Sequence, residues 1–291
     1  MLIRRFLTPW GTYRAARDQL GSVRRIYLSR DRVVRRDDFS EGEVVLLLHG
    51  FMQTRNLWET MEERLRRDGY RVISLNMGGL FARFNTRPVD TLAMHVAEKI
   101  ERLASRHGFD GLHIIGHSKG GLVGRRYIQH YGGGRRVRSL TTLGTPHHGT
   151  PTAVVAVGLM GAGFLPSSAL DLLPRSRVIA ALNQDVFPAH VPLVSVYSKQ
   201  DLVCPYWCSV LRPRAGESSM ENVVVRGVGH SQLAWDPGVY AIVRQRLARA
   251  TTTWEERNAP VSVDGAGPDF DRTANSTDDN AVFPRRRVRM R

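Results

Sequence analysis

Apolar residues fall along this chain in two alternating rhythms. Short, nearly charge-free runs rich in β-branched side chains read as strands: VVLLLH (44–49), YRVISL (70–75), LHIIG (112–116), RSLTTLG (138–144), VPLVSVYS (191–198) and NVVVRG (222–227). Between them lie longer stretches with helical spacing. In RNLWETMEERLRRDG (55–69), Leu57, Trp58, Met61 and Leu65 share one stripe and Gly69 is the stop. DTLAMHVAEKIERLASRHG (90–108) is a predicted helix with Asp90 as its N-cap and Gly108 at its end, and two more helices are expected over Lys119–Tyr131 and Gly238–Ala250. Strands this apolar cannot face water. The alternation therefore predicts an α/β fold in which helices cover both faces of a mostly parallel sheet. Such a sheet collects functional residues at the carboxyl ends of its strands.

Two segments break the rhythm. Between the strands 138–144 and 191–198 lies a connection too long for an ordinary turn, and within it AVVAVGLMGAGFL (Ala153–Leu165) carries no charge. A helical cap or lid insertion over about 146–190 is expected there. From about Glu255 the chain is rich in Asp, Asn, Thr, Gly and Pro, and 255–291 is expected to be a disordered tail with an Arg-rich end. The organisation read from these patterns is a basic, helical N-terminal extension (1–42), an α/β domain (43–254) and that tail.

Charge adds a feature the pattern does not. The 291 residues hold 42 Lys and Arg against 27 Asp and Glu, a net charge of +15, and only Lys99, Lys119 and Lys199 are lysines. Ten arginines stand in residues 1–36, and RRRVRMR (285–291) closes the chain. Basic ends of this kind attract anionic lipid, and Leu2, Ile3, Phe6, Leu7, Trp10 and Tyr13 recur at near-helical spacing among arginines. The same stripe also suits packing on the protein's own body. No groove-reading motif or aromatic–basic platform is present, so no nucleic acid is expected as a partner. The N-terminus lacks an uninterrupted apolar signal core, and no run reaches the roughly 18–20 residues of a membrane span. A cytoplasmic protein is expected, with peripheral contact to a membrane as the role open to its basic ends. Cys204 and Cys208 are the only cysteines, suited either to a local disulfide or to two thiols. No second Cys/His pair accompanies them, so no metal is expected.

The chemistry centres on HIIGHSKGGLVGRRY (113–127). Here Ser118 follows a predicted strand and precedes a predicted helix, with Gly116 and Gly120 letting the two pack closely; this is the context of a nucleophile elbow. The Lys119 backbone N–H, at the helix start, would face a developing oxyanion. A serine hydroxyl needs a histidine to take its proton and a carboxylate to orient that histidine, in the chain order acid then histidine. Asp201 follows the strand 191–198, and His230 lies in the loop after 222–227. Asp185 and Asp236 are less well placed after a strand; His147 and His148 stand too early in the order and read as loop-structuring residues. After VVLLLH, the Phe51 N–H is the candidate second oxyanion donor, and His49 reads as the residue fixing that loop.

These motifs, HGF (49–51), GHSKGG (116–121), LGTPHHGT (143–150), YSKQDLVCP (197–205) and GVGHSQL (227–233), resemble the α/β-hydrolase superfamily, and within it the bacterial triacylglycerol lipase and esterase group, over roughly 43–250. The resemblance implies hydrolysis of hydrophobic acyl esters or lipids through an acyl-enzyme. Ser118 would be the nucleophile, His230 the general base and acid, Asp201 its orienter, and no cofactor would be needed. Acyl transfer by the same triad, or a catalytically silent lipid- or protein-binding member, are the rival readings. Val154, Leu159, Met160, Phe164 and Leu165 are candidates to line or gate an acyl site. Two departures stand out: Lys119 occupies a position where many lipases carry Met or Gln, altering the expected pocket wall, and SQLAWD after His230 lacks the acidic ligand of calcium-dependent members.

Overall fold

The computed structural model describes residues 39–80, 84–153, 167–217 and 219–258. Six strands form one parallel sheet: β1 (Val44–Leu48), β2 (Arg71–Ser74), β5 (Leu112–His117), β6 (Val137–Leu143), β7 (Leu193–Ser198) and β8 (Met220–Val225), in the order β2-β1-β5-β6-β7-β8. A short antiparallel pair, β3 (Gly79–Leu80) and β4 (Phe84–Asn85), stands apart from it. Helices α1 (Glu59–Arg67), α2 (Val89–His107), α3 (Lys119–His130) and α7 (Pro237–Asn258) fill the long connections and the end of the described chain. Shorter ones are α4 (Ser167–Leu170), α5 (Arg177–Gln184) and α6 (Tyr206–Ser209).

Period-two alternation in the strands divides the core between two faces. Val44, Leu46, Leu48, Leu112, Ile114 and Leu140 pack with α2 and α3. Val45, Leu47, Ile115, Leu143, Val194 and Val196 face the other way, onto Trp58, Met61 and Leu65 and onto Val239, Val243 and Leu247 of α7. The register pairs Leu48 with Gly116, His117 with Leu143 and Ser198 with Val225, so the loops after β1, β5, β6, β7 and β8 leave from one edge.

Two sequence expectations change, and one open alternative is decided. Asp90 is not the N-cap of α2: Pro88 holds that place, and the first N–H, that of Val89, donates instead to Asp171 Oδ2 at 2.8 Å. Asp90 lies in the first turn and accepts from Arg126 Nε on α3 at 2.5 Å. The last helix does not stop near residue 250 but runs to Asn258, so the start of the supposed tail, 255–258, is helical. The cysteines are both buried and free. Between β6 and β7, α4 and α5 occupy the described parts of the long connection, and α5 meets α3 where Arg125 donates to the Leu182 carbonyl at 2.6 Å. Residues 1–38, 154–166 and 259–291 lie outside the described residues, and with them the basic extension, the Arg-rich end and Val154, Leu159, Met160, Phe164 and Leu165. Among the described residues no helix is long and apolar enough to cross a membrane.

The amino edge of the sheet carries an ionic cluster. Glu43 accepts from His113 Nε2 at 3.0 Å, from Arg138 and from Thr251 Oγ1 at 3.3 Å on α7. Burial alone would raise the Glu43 carboxyl, but the His113 bond and the Arg138 charge outweigh it and hold it at about 2. A carboxyl held below its unfolded value stabilises the fold above that value and loses the contribution as pH falls toward its folded one. Glu43→Gln is therefore expected to lower stability by about 1 kcal/mol at pH 7. It should also flatten the decline between pH 5 and 2, as read by urea denaturation across that range.

Candidate active site

At the carboxyl edge, the close packing of β5 on α3 requires its glycines. A Cβ on Gly116 would lie 2.5 Å from the Gly121 Cα, and one on Gly120 only 2.0 Å from the Leu48 carbonyl oxygen. Between them Ser118 takes φ 53° and ψ −124°, a left-handed conformation that costs a non-glycine residue on the order of 1–3 kcal/mol. Its neighbours hold it there: Ser118 N donates to the Leu143 carbonyl at 2.9 Å, and its own carbonyl accepts from Gly121 N at 3.1 Å and Thr145 Oγ1 at 2.9 Å.

Asp201 and His230 meet in the next two loops. His230 Nδ1 stands 2.7 Å from Asp201 Oδ2, and both side chains are buried. The other carboxylate oxygen, Oδ1, accepts from the backbone N–H groups of Val203 at 2.9 Å and Cys204 at 2.7 Å. Two amides and an imidazole thus fix the carboxylate in one orientation, which in turn fixes the ring. Gly144, with φ +57°, lets β6 turn away beneath the pair; a Cβ there would come within 3.0 Å of Asp201 Oδ2 and 3.2 Å of His230 Nδ1.

His117 ties this pair to the serine loop. It immediately precedes Ser118, and its Nε2 lies 2.9 Å from the His230 carbonyl, with ring centroids 4.6 Å apart. Its Nδ1 lies 2.9 Å from Gln53 Oε1, which also accepts from Gly50 N at 2.8 Å. A Cβ on Gly50 would sit 2.8 Å from the Ser118 Cβ, so the loop after β1 presses directly on the serine. Neither the Phe51 nor the Lys119 N–H donates to a main-chain carbonyl among the described residues. The Ser118 hydroxyl, half-buried, likewise has no hydrogen-bond partner among them. Bonds of this kind commonly close only when substrate is in place.

The other titratable groups have different work. His49 is fully buried and held at about 3 by that burial; its Nε2 accepts from Met77 N at 3.4 Å. His147, also pushed well down by burial, lies between Thr142 Oγ1 at 3.1 Å and Arg125 at 3.3 Å, while His148 Nε2 donates to the Val210 carbonyl at 2.9 Å. Asp185 pairs with His130 at 3.0 Å, and Asp236 accepts from Val239 N at the start of α7. Gln53, His117 and Asn85 are the polar residues that sequence reasoning passed over. The first two sit inside the quoted motifs or beside them, whereas Asn85 lies in a stretch with no periodic or motif signal.

Residues 43–174 match the family model of the alpha/beta hydrolase fold. Among solved structures, the chain superposes on a mature lipase of Bacillus licheniformis with TM-score 0.56 at 16% identity, covering 74% of this chain and 95% of that one. Aspergillus fumigatus lipase B gives TM-score 0.58 at 15% identity over 71% of this chain and 52% of that one. For a structure from a study of Nitrososphaera gargenis carboxylesterases the score is 0.50 at 15% identity, over 74% and 93%. At such identities the likeness is one of fold. The chain has the alpha/beta hydrolase fold.

Proposed function

We propose that this protein is a serine carboxylic-ester hydrolase of the lipase and esterase kind, acting on hydrophobic acyl esters. The observation that carries the reading is the buried 2.7 Å contact between His230 Nδ1 and Asp201 Oδ2, on the same sheet edge as a serine held at positive φ. A carboxylate on Nδ1 keeps the proton there and leaves Nε2 free as a base. Ser118 Oγ attacks the ester carbonyl while His230 Nε2 takes its proton. The carbonyl oxygen gains the charge and receives the N–H groups of Phe51 and Lys119. Collapse expels the alcohol, protonated by His230, and leaves an acyl-Ser118 ester. Water then attacks that ester with His230 again as base, releasing the acid and restoring the hydroxyl.

The apolar Ala153–Leu165 segment supports a hydrophobic acyl group as the preferred substrate, and the basic ends suit work at an anionic membrane surface. A fluorophosphonate probe is expected to label the wild type at Ser118 and to leave Ser118→Ala unlabelled. With p-nitrophenyl esters of increasing acyl length, kcat/KM should rise from acetate toward medium chains. An unlabelled wild type that hydrolyses none of the series would refute the assignment.

A further inference from the structure

Lys119 sits immediately after the nucleophile, at the first position of α3, yet its side chain is 0% exposed. Instead of forming an outer pocket wall, it runs into the protein. Its Nζ donates to Asn85 Oδ1 at 2.8 Å and to the Arg87 carbonyl, and lies 5.7 Å from the centre of the Phe51 ring. These partners are all neutral. Burying an ammonium among neutral groups is costly, and an apolar side chain such as Met would fill the volume without that cost.

What the ammonium gains is a grip on the loop after β1. Asn85, itself 0% exposed, donates from Nδ2 to the His49 carbonyl at 2.9 Å. Its backbone N–H donates to the Gln53 carbonyl at 3.2 Å, and its carbonyl accepts from Met52 N at 3.1 Å. Asn85 thus binds the loop at residues 49, 52 and 53, on either side of Phe51. Met52 is held at φ 53°, so this stretch needs external support. Lys119 joins Asn85 and the Phe51 ring to the serine turn.

We propose that Lys119 is a positioning residue for the ester hydrolysis proposed above. Through Asn85 and Phe51 its ammonium sets the 49–53 loop against Ser118 and keeps a positive charge behind the amides that receive the oxyanion. The inference rests on that reading of function. A fixed cation in a low-dielectric site acts on charge that develops only in the transition state, so it is felt in kcat rather than in substrate affinity. Burial draws the Lys119 ammonium down to about 7, with the Asp171 carboxylate opposing. Of the other groups facing it, His49 is neutral in this range, and Asp171 is itself raised by burial. The cation is therefore present below about pH 7 and lost above it, which predicts a falling alkaline limb in the pH profile of kcat.

The test compares wild type, Lys119→Met and Lys119→Gln on one p-nitrophenyl ester between pH 5.5 and 9, with thermal melting as the folding control. Lys119→Met is expected to lose about 10- to 100-fold in kcat at pH 6 with KM changed less than about threefold, and to lack the alkaline limb. Lys119→Gln keeps an N–H donor without the charge. It should show the same loss, and it stands in if the Met variant does not fold. A folded variant with kcat within twofold of wild type, a change confined to KM, or an alkaline limb that survives in both variants would overturn the role of Lys119. If wild type is labelled by the fluorophosphonate at Ser118 while these outcomes appear, only this inference falls. If wild type is neither labelled nor active, the functional reading falls and takes it along.

Discussion

Ser118→Ala and His230→Ala are each expected to lower kcat for a p-nitrophenyl ester by about 10⁵-fold or more, and the double variant to lose little beyond either single one. The reason is that the proton transfer is a single event. Without the serine there is no acyl acceptor, and without the imidazole the hydroxyl stays protonated. Removing the second partner then takes away nothing that still operates. Asp201→Asn should cost about 10⁴-fold. The substituted amide can turn its N–H₂ toward His230 Nδ1, which drives the ring proton to Nε2, where it faces the serine and blocks base catalysis. The present geometry gives this prediction its edge, since Asp201 Oδ1 is already committed to the Val203 and Cys204 amides and only Oδ2 serves the ring. Steady-state rates with active-site titration decide the matter. An Asp201→Asn enzyme within tenfold of wild type would move the acid to another residue.

The sheet and its helices were readable because burial imposes a period on sequence. β1 and β5 are buried at every position; β1 registers as an unbroken apolar run, and β5 as an apolar run flanked by two buried histidines. α1 and α2 each bury one stripe. What escaped was decided by contacts distant in sequence. Asp90 has the right chemistry and position for a cap, but Asp171 is brought to the Val89 N–H by the segment after β6, which no local pattern reveals. The end of α7 was hidden differently. Thr251, Thr252 and Thr253 look like a break in a helix, yet each hydroxyl bonds the carbonyl four residues earlier, on Leu247, Ala248 and Arg249. Trp254 then holds the turn, with the Arg138 guanidinium 5.4 Å and the Arg257 guanidinium 4.8 Å from its ring centre. The two-residue strands β3 and β4 are too short to carry any period.

The candidate site divides along the same line. Ser118, Asp201 and His230 could be named because each follows a strand, and a parallel sheet sends every such loop to one edge. The groups that hold them could not. Gln53, His117 and Asn85 are ordinary polar residues until the fold sets them between the loops, and the Lys119 side chain reads as part of a pocket wall until Asn85 and Phe51 are seen to close over it.

The glycines of the serine turn offer the sharpest test of how tightly that edge is built. Gly120→Ala is expected to destabilise the protein by about 3 kcal/mol or more, measured by urea denaturation. The added Cβ would lie 2.0 Å from the Leu48 carbonyl oxygen, 2.6 Å from its carbon and 3.0 Å from the His49 carbonyl oxygen. All three obstacles are backbone, so no rotamer change can make room. Either α3 moves off β1 by about 1 Å or β1 bends, and each breaks the packing that buries Leu48 and Leu122. Gly108→Ala provides the comparison. Gly108 has φ +75° and nothing within 4 Å of a Cβ, so only backbone strain opposes the change, about 1 kcal/mol. The two variants also differ in activity for a geometric reason. Leu48 leads into the loop that carries the Phe51 N–H, and Gly120 is one residue from the Lys119 N–H. Relief of the clash drives those two donors apart, so any folded Gly120→Ala protein should lose kcat by about 100-fold, while Gly108→Ala keeps it. Equal activity in the two variants would mean that the donors are not set by the contact of α3 with β1.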